Sequence, residues 1–350
     1  MARRRPIRLN LALQGGGGHG AYTWGVLERL LDEEHVEIGD VCGASAGALN
    51  GSALVTGWLR GGRQGARDNL ALLWRQVTEA GLLASFFHAS LKKPGLGVWD
   101  DAMPLLSPYQ TNPFALDPLK YILGSTVDID LLQAAKAPGP TLSVNAVNVQ
   151  SGHSRVFGPT ELSIEAVMAS ACAPFTYQAV EIDGESYWDG SYAGNPTLWP
   201  LYEGKGDVDL LMVELTPLRR DETPTTAKNI LNRINEIGSI NGLVSELRWM
   251  VSTTARSGQA VRMHVISLPD AVSPDEIEPS TKRTIDAALF EKLRRQGRQA
   301  CGDWLSLHRD ELGQRSSCNV NARYLAPHSH ATGATRHRNG SSSPVERPAA

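Results

Sequence analysis

Much that would place this chain quickly is missing from it. Only four cysteines occur in 350 residues, Cys42, Cys172, Cys301 and Cys318. They are widely separated and none has metal-ligand spacing. Cys42 and Cys172 lie in apolar runs, which points to buried free thiols and away from a disulfide framework. No stretch approaches the roughly 20 uncharged residues that a membrane-spanning helix requires. The opening Met1-Ala2-Arg3-Arg4-Arg5 looks like the basic front of a secretory signal, but Arg8 and Asn10 interrupt the apolar run behind it. A chain without an export segment is expected in the cytoplasm. Charge of one sign is lacking as well: 34 basic against 37 acidic residues leave a net charge of −3. That gives no basis for a nucleic-acid partner. No His/Asp/Glu cluster has ligand spacing, so no metal and no cofactor are expected.

What remains is the composition of a globular protein, 41% hydrophobic and 20% charged, long enough for one large domain or two small ones. The stretch Gly43-Ala44-Ser45-Ala46-Gly47 reads Gly-x-Ser-x-Gly. It follows an apolar strand-like run from Ile38 and precedes a small-residue helix-like run from Ala48. A serine on so sharp a strand-to-helix turn is forced outward with its hydroxyl exposed, which makes Ser45 a candidate nucleophile. A small-residue turn that happens to hold a serine would read the same way.

Upstream, Ile7, Leu9, Leu11 and Leu13 alternate as in a strand. The run enters Gln14-Gly15-Gly16-Gly17-Gly18-His19-Gly20, and Trp24, Leu27, Leu30 and Leu31 then recur at helical spacing. Strand, glycine loop and helix together gather backbone N–H groups at a helix start, where negative charge is favoured. Gly15, Gly17 and Gly20 match the dinucleotide fingerprint. Its acidic residue, however, should end the second strand, and Asp40 begins it. The other reading is an oxyanion hole beside the nucleophile turn.

Farther along, a polar Gly/Arg-rich loop is expected between Arg60 and Asp68, and a helix over Leu70, Leu73, Trp74 and Val77. Residues 81–118 are read as irregular and proline-broken, with apolar side chains that would suit a lid or inward packing. Strands at Thr141–Val149, 207–215 and 261–268 alternate with helices at 161–171, 226–253 and 279–311. This alternation predicts an α/β fold with a mainly parallel central sheet flanked by helices. From Gly313 the composition turns to Ser, Gly, Arg, His and Asn without apolar periodicity. The expected organisation is one domain over 1–312 and a disordered tail over 313–350.

Ser45 needs a base. His153, His264 and His308 lie downstream, but His264 alternates with Val261, Met263 and Val265 as on a strand, and too few strands precede the turn for an α/β-hydrolase order. Asp189, after two aromatics and before Gly190, is the better candidate, since a partly desolvated carboxylate can act as the base directly. An Asp-Gly hairpin turn is the bland alternative.

The Gly15–Gly20 loop, the Gly43–Gly47 turn and Asp189-Gly190-Ser191, in that order, together with Ala169-Ser170-Ala171-Cys172-Ala173-Pro174-Phe175, resemble the motifs of the patatin-like phospholipases. The resemblance covers about residues 7–216, and more loosely reaches 311. It implies a three-layer α/β/α fold and a lipid acyl hydrolase with a Ser–Asp dyad and no histidine. Carried over by position, Ser45 is the nucleophile and Asp189 the base. Gly16, Gly17 and Gly18 supply oxyanion donors with Ala46, and Gly15, Gly20, Gly43, Gly47 and Gly190 support the motifs. The implied partner is a lipid or other acyl ester, with peripheral membrane contact open. His19 stands where the family usually has Arg or Lys, and Ser191 where it usually has Gly or Ala; the Ser191 hydroxyl is placed to bond Asp189. Two other classes are a lipid-binding regulator of the same fold with little turnover and a dinucleotide-dependent oxidoreductase.

Overall fold

A computed structural model of the chain describes residues 6–91, 107–111, 118–136, 139–220, 222–272 and 285–326. Among these residues eight strands form one sheet: β1 (Ile7–Leu13), β2 (Val36–Gly43), β3 (Leu142–Asn148), β4 (Ser154–Phe157), β5 (Val180–Ile182), β6 (Glu185–Asp189), β7 (Val208–Glu214) and β8 (Val261–Ser267). Their order is β5-β6-β3-β2-β1-β7-β8, with β4 also paired to β3. The pairs among β1, β2, β3, β7 and β8 are parallel, whereas the pairs β3–β4, β3–β6 and β5–β6 are antiparallel. This is the expected mainly parallel α/β sheet.

The helices are α1 (Gly20–Leu30), α2 (Ala46–Leu91), α3 (Pro108–Thr111), α4 (Pro118–Thr126), α5 (Ile129–Ala134), α6 (Ile164–Ser170), α7 (Ala227–Ser257), α8 (Leu268–Ala271) and α9 (Ala287–His308). They cover both faces of the sheet, so β1 is buried on both sides and not amphipathic. Leu9, Leu11 and Leu13 enter a large core with α1, α2 and α9. Ala12, from the opposite face, joins Met212, Leu243 and Leu247 beneath α7. Asn10 sits on that second face and is satisfied there. Its amide donates to Leu201 O at 2.7 Å and accepts from Asp40 N at 2.9 Å. Among the described residues no helix is long and apolar enough to cross a membrane. The cysteines are free thiols; Cys42, Cys172 and Cys301 are buried.

Three boundaries differ from expectation. The loop expected after Arg60 is only a break at Gly61 and Gly62 inside α2. The two glycines supply the kink, and the Arg- and Gln-rich residues after them resume the helix. The irregular segment expected from 81 begins later, because α2 continues to Leu91 and no proline occurs before Pro94. Residues 92–106 and 112–117, where most of the expected lid falls, lie outside the described residues. Finally, Gly313–Ala326, expected in the tail, is seated on the edge of the sheet. Met263 N donates to Ser316 Oγ, Cys318 N donates to Met263 O, and Arg323 and buried Tyr324 bind Glu214. Polar and main-chain bonds hold this segment together with Cys318, Val320, Tyr324 and Leu325, which pack on the second core without a helical or strand period, so apolar periodicity carried no sign of it. The rest of the expected tail, 327–350, lies outside the described residues.

Candidate active site

Strand register sets the site. Leu13 pairs with both Gly43 and Val213, and Gly43 pairs with Val144, so β1, β2, β3 and β7 are abreast at their C-terminal ends. The glycine loop leaves β1 and the Ser45 turn leaves β2 at this edge. β6 arrives from the opposite direction and places Asp189 beside Ala146, two residues farther along β3. Two parallel strands and one antiparallel strand thus bring three distant motifs together, in the crevice where open α/β sheets bind ligands.

Ser45 has a left-handed backbone, φ 52°, a conformation that costs a non-glycine residue roughly 1–2 kcal/mol. The surroundings hold it there. Ala44 N donates to Leu13 O at 3.2 Å, and Ser45 N donates to Ser170 O at 3.0 Å. Gly47 lets the helix start pass against β1, since a β-carbon there would lie 2.0 Å from Leu13 O. Gly43 closes β2 and is buried, while Ser45 is half-buried.

The glycine loop presses on the same turn. A β-carbon on Gly15 would lie 2.6 Å from Ser45 Cβ. Gly17–His19 form one tight helical turn that leads into α1 at Gly20. Gly16, Gly17 and Gly18 precede any intrahelical acceptor, and among the described residues none accepts their N–H groups or that of Ala46. The Asn50 amide donates to Ala46 O at 2.9 Å and Gly20 O at 3.1 Å, tying the starts of α1 and α2 together. Two helix N-termini therefore converge beside Ser45 and favour negative charge there. His19 is buried.

Asp189 closes β6 and is 4% exposed. Its Oδ1 accepts from Ser191 N at 2.9 Å and from Ser191 Oγ at 2.7 Å, and the Ser45 side chain lies near enough to the carboxyl group to lower its proton affinity. Burial pushes the carboxyl pKa above the ordinary aspartate value, and neither the bonds from Ser191 nor the nearby Ser45 side chain cancel it. All these donors are neutral. The Asp-Gly hairpin turn is elsewhere: Asp183 and Gly184, both left-handed, join β5 to β6. Gly190 is buried in the short turn that Asp189 caps. Asp189 N donates to Cys172 O at 2.9 Å. The Ala169–Phe175 segment thus receives the main-chain N–H of both Ser45 and Asp189.

The downstream histidines are engaged elsewhere. His153 is exposed on a turn, His308 pairs with Glu311, and His264 lies between Asp209 and Ser317. Asp40, the acidic residue of the dinucleotide reading, bonds Arg8, Thr141 and Lys205. No group of three potential metal ligands occurs among the described residues.

Two buried asparagines escaped the sequence reading. Asn145 on β3 donates to Gly190 O at 3.0 Å and Gly194 O at 2.9 Å. Asn195 bonds the main chain of Gly15. An amide within the apolar strand Leu142–Asn148 was a visible signal, because a buried polar side chain requires partners.

A family model described as patatin-like phospholipase matches residues 11–202, more than half of the chain and all three motifs. No curated protein matches. Among solved structures, VipD from Legionella pneumophila is 13% identical, covers 91% of this chain and 73% of its own, and superposes with a TM-score of 0.40. ExoU, in its heterodimeric complex with SpcU from the type III secretion system of Pseudomonas aeruginosa, is 15% identical with a TM-score of 0.40. That match covers 88% of this chain but only 52% of the other, so the chain spans about half the length of that structure.

Proposed function

The chain belongs to the patatin-like phospholipase family, and from that premise we propose that it is a serine acyl hydrolase of lipid esters, of phospholipase A or lysophospholipase type. One observation carries the reading: the buried Asp189 carboxyl group, with only neutral hydrogen-bond partners, and the Ser45 turn share the C-terminal edge of the sheet, and the Ser45 side chain lies near enough to Asp189 to lower its proton affinity.

Asp189 accepts the Ser45 proton as Oγ attacks the ester carbonyl. The carbonyl oxygen becomes an oxyanion, held by the N–H groups of Gly16, Gly17 and Gly18 with Ala46 N–H at the turn. Fixed donors of this kind need no reorganisation when the charge develops. The tetrahedral species collapses, the C–O bond to the alcohol breaks, and Asp189 returns its proton to the leaving oxygen. Water then attacks the acyl–Ser45 ester with Asp189 again as base, releasing the fatty acid and restoring Ser45. The raised proton affinity of Asp189 suits this work, because a strongly acidic carboxylate is a poor base. A lipid substrate would be met at a membrane or micelle surface.

The test is labelling with a fluorophosphonate followed by peptide mapping. The adduct is expected on Ser45. Ser45→Ala should abolish labelling and lower lipid-ester hydrolysis by about 10³-fold or more. Undiminished hydrolysis by the folded variant would exclude the assignment.

A further inference from the structure

Asn195 is 2% exposed and belongs to the loop that follows the Asp189 turn. Its side chain reaches back to the glycine loop at the other end of the domain sequence. Gly15 N donates to Asn195 Oδ1 at 2.6 Å, and Asn195 Nδ2 donates to Gly15 O at 3.3 Å. A carboxamide is the side-chain group that offers one acceptor and one donor in the spacing of a peptide, so it can satisfy both main-chain groups of one residue. An aspartate would keep only the acceptor when ionised, and an aliphatic side chain would keep neither.

The position of Gly15 gives this pair of bonds its meaning. Gly15 immediately precedes Gly16, Gly17 and Gly18, and it is the glycine pressed on the Ser45 β-carbon. The two flanks of the loop are held separately: before Gly15, the side-chain Oε1 of Gln14 accepts from Leu215 N at 2.8 Å and Thr216 N at 3.0 Å, and at the far end the Asn50 amide donates to Gly20 O. The Asp189 turn is fixed in its own right by Asn145 on Gly190 and Gly194. Asn195 is the polar side chain that links the glycine loop to the chain segment bearing Asp189.

We propose that Asn195 is a positioning residue for the reaction: through Gly15 it sets the distance between the oxyanion donors and Ser45. The inference rests on the Ser45–Asp189 reading and adds to it a residue that touches neither substrate nor nucleophile. The effect should be on transition-state stabilisation, since the donors matter most once the oxyanion has formed. Loss of one oxyanion donor costs about 10²–10³ in kcat, and a misplacement of about 1 Å costs about 10²-fold.

The experiment compares wild type and Asn195→Ala on a monomeric short-chain ester and in fluorophosphonate labelling. Expected are a fall in kcat of about 10²-fold, a KM within about threefold, and labelling slowed in parallel with kcat. The acid limb of the pH profile, which reports Asp189, should stay in place. A residue with a merely structural role would shift KM and the acid limb together with kcat, and that result would overturn the proposal. So would a folded variant with kcat within threefold of wild type. Should Asn195→Ala fail to fold, the isosteric Asn195→Asp is read by the same criteria, and amide exchange of the wild type gives a further check. Gly15 N–H should exchange far more slowly than the N–H groups of Gly16–Gly18; equal rates would sink the clamp. An esterase whose activity survives Ser45→Ala would instead sink the catalytic reading, so the two failures are separate.

Discussion

Asp189 and Asp209 are buried to nearly the same degree, 4% and 5% exposed, yet their carboxyl groups are pushed in opposite directions. Burial raises the pKa of Asp189, and the neutral donors Ser191 and Ser45 fail to reverse it. Burial acts on Asp209 in the same sense but is outweighed by His264, Gly313 N–H and Arg262, so its pKa lies below the ordinary value. Asp209 also belongs to a Ser–His–Asp arrangement. His264 Nε2 is 3.1 Å from Asp209, and Nδ1 is 3.0 Å from Ser317 Oγ. By residue type alone it looks more like a hydrolase triad than Ser45 and Asp189 do. Its details point to a structural lock. His264 is fully buried, and its Nδ1 also accepts Ser317 N–H at 3.3 Å. The Ser317 hydroxyl accepts from Trp304 Nε1 at 3.3 Å. No strained strand-to-helix turn presents Ser317 to a substrate. The right side chains in hydrogen-bond contact do not make a nucleophile. A serine on a strained turn, a base free of cations and idle N–H donors are the features that separate the two sites.

The largest effect that would test this contrast comes from Asp189→Asn, which keeps the shape and removes the base. Hydrolysis should fall by about 10²–10⁴-fold. In the wild type Asp189 must be ionised to accept the proton. With its folded pKa raised, kcat/KM should be lost as pH falls, and lost above the ordinary aspartate range. The stability sign runs the other way. A raised folded pKa means that ionising Asp189 costs native stability as pH climbs from the unfolded value through the folded one. The Asp189→Asn protein should therefore melt at or above the wild-type temperature at neutral pH. An acid limb at the ordinary aspartate value or below would erase the difference between the two carboxyl groups.

Sequence alone could show the elements of this contrast but not their arrangement. The glycine loop, the Ser45 turn and Asp189 were legible because each violates local rules, through packed glycines or an aspartate after two aromatics. The parallel sheet was legible because apolar runs alternate with helical spacing. The partners of these motifs were not legible. Asn145 and Asn195 look like ordinary polar residues, and only tertiary pairing reveals that they hold carbonyls and N–H groups far away in sequence. The His264 assignment shows the same limit in reverse. Alternation on β8 marked it correctly as a strand residue, yet gave no hint of Asp209 or of Ser317. The latter lies in a segment whose composition read as disordered, because its polar contacts and its few core-packed side chains leave no periodic trace.

A middle-sized effect should come from Ser317→Ala. It removes the hydroxyl partner of the Trp304 indole N–H and leaves His264 Nδ1 with only the Ser317 main-chain N–H, a loss of about 1–3 kcal/mol, or a fall in melting temperature of roughly 2–4 °C for each kcal/mol. Lipid-ester hydrolysis should stay within about twofold of wild type, because nothing in this cluster touches Ser45 or Asp189. A Ser317→Ala protein that melts normally but loses hydrolysis would transfer the catalytic role to the Asp209 cluster.

The smallest effect compares the two serines directly. Ser45 and Asp183 are the only left-handed residues other than glycine among those described, so Ser317 sits on relaxed backbone and Ser45 on strained backbone. Ser45→Gly releases roughly 1–2 kcal/mol of that strain and gives back part of it, about 0.5–1 kcal/mol, through the greater freedom of the unfolded chain. The net expectation is a gain of roughly 0.5–1 kcal/mol in denaturant unfolding, together with complete loss of hydrolysis. Ser317→Gly has no strain to release and should lose stability. Opposite signs for one replacement at two serines would mean that the fold spends stability at Ser45 to aim a hydroxyl. A destabilised Ser45→Gly protein would mean that the turn is comfortable and that its geometry says nothing about reactivity.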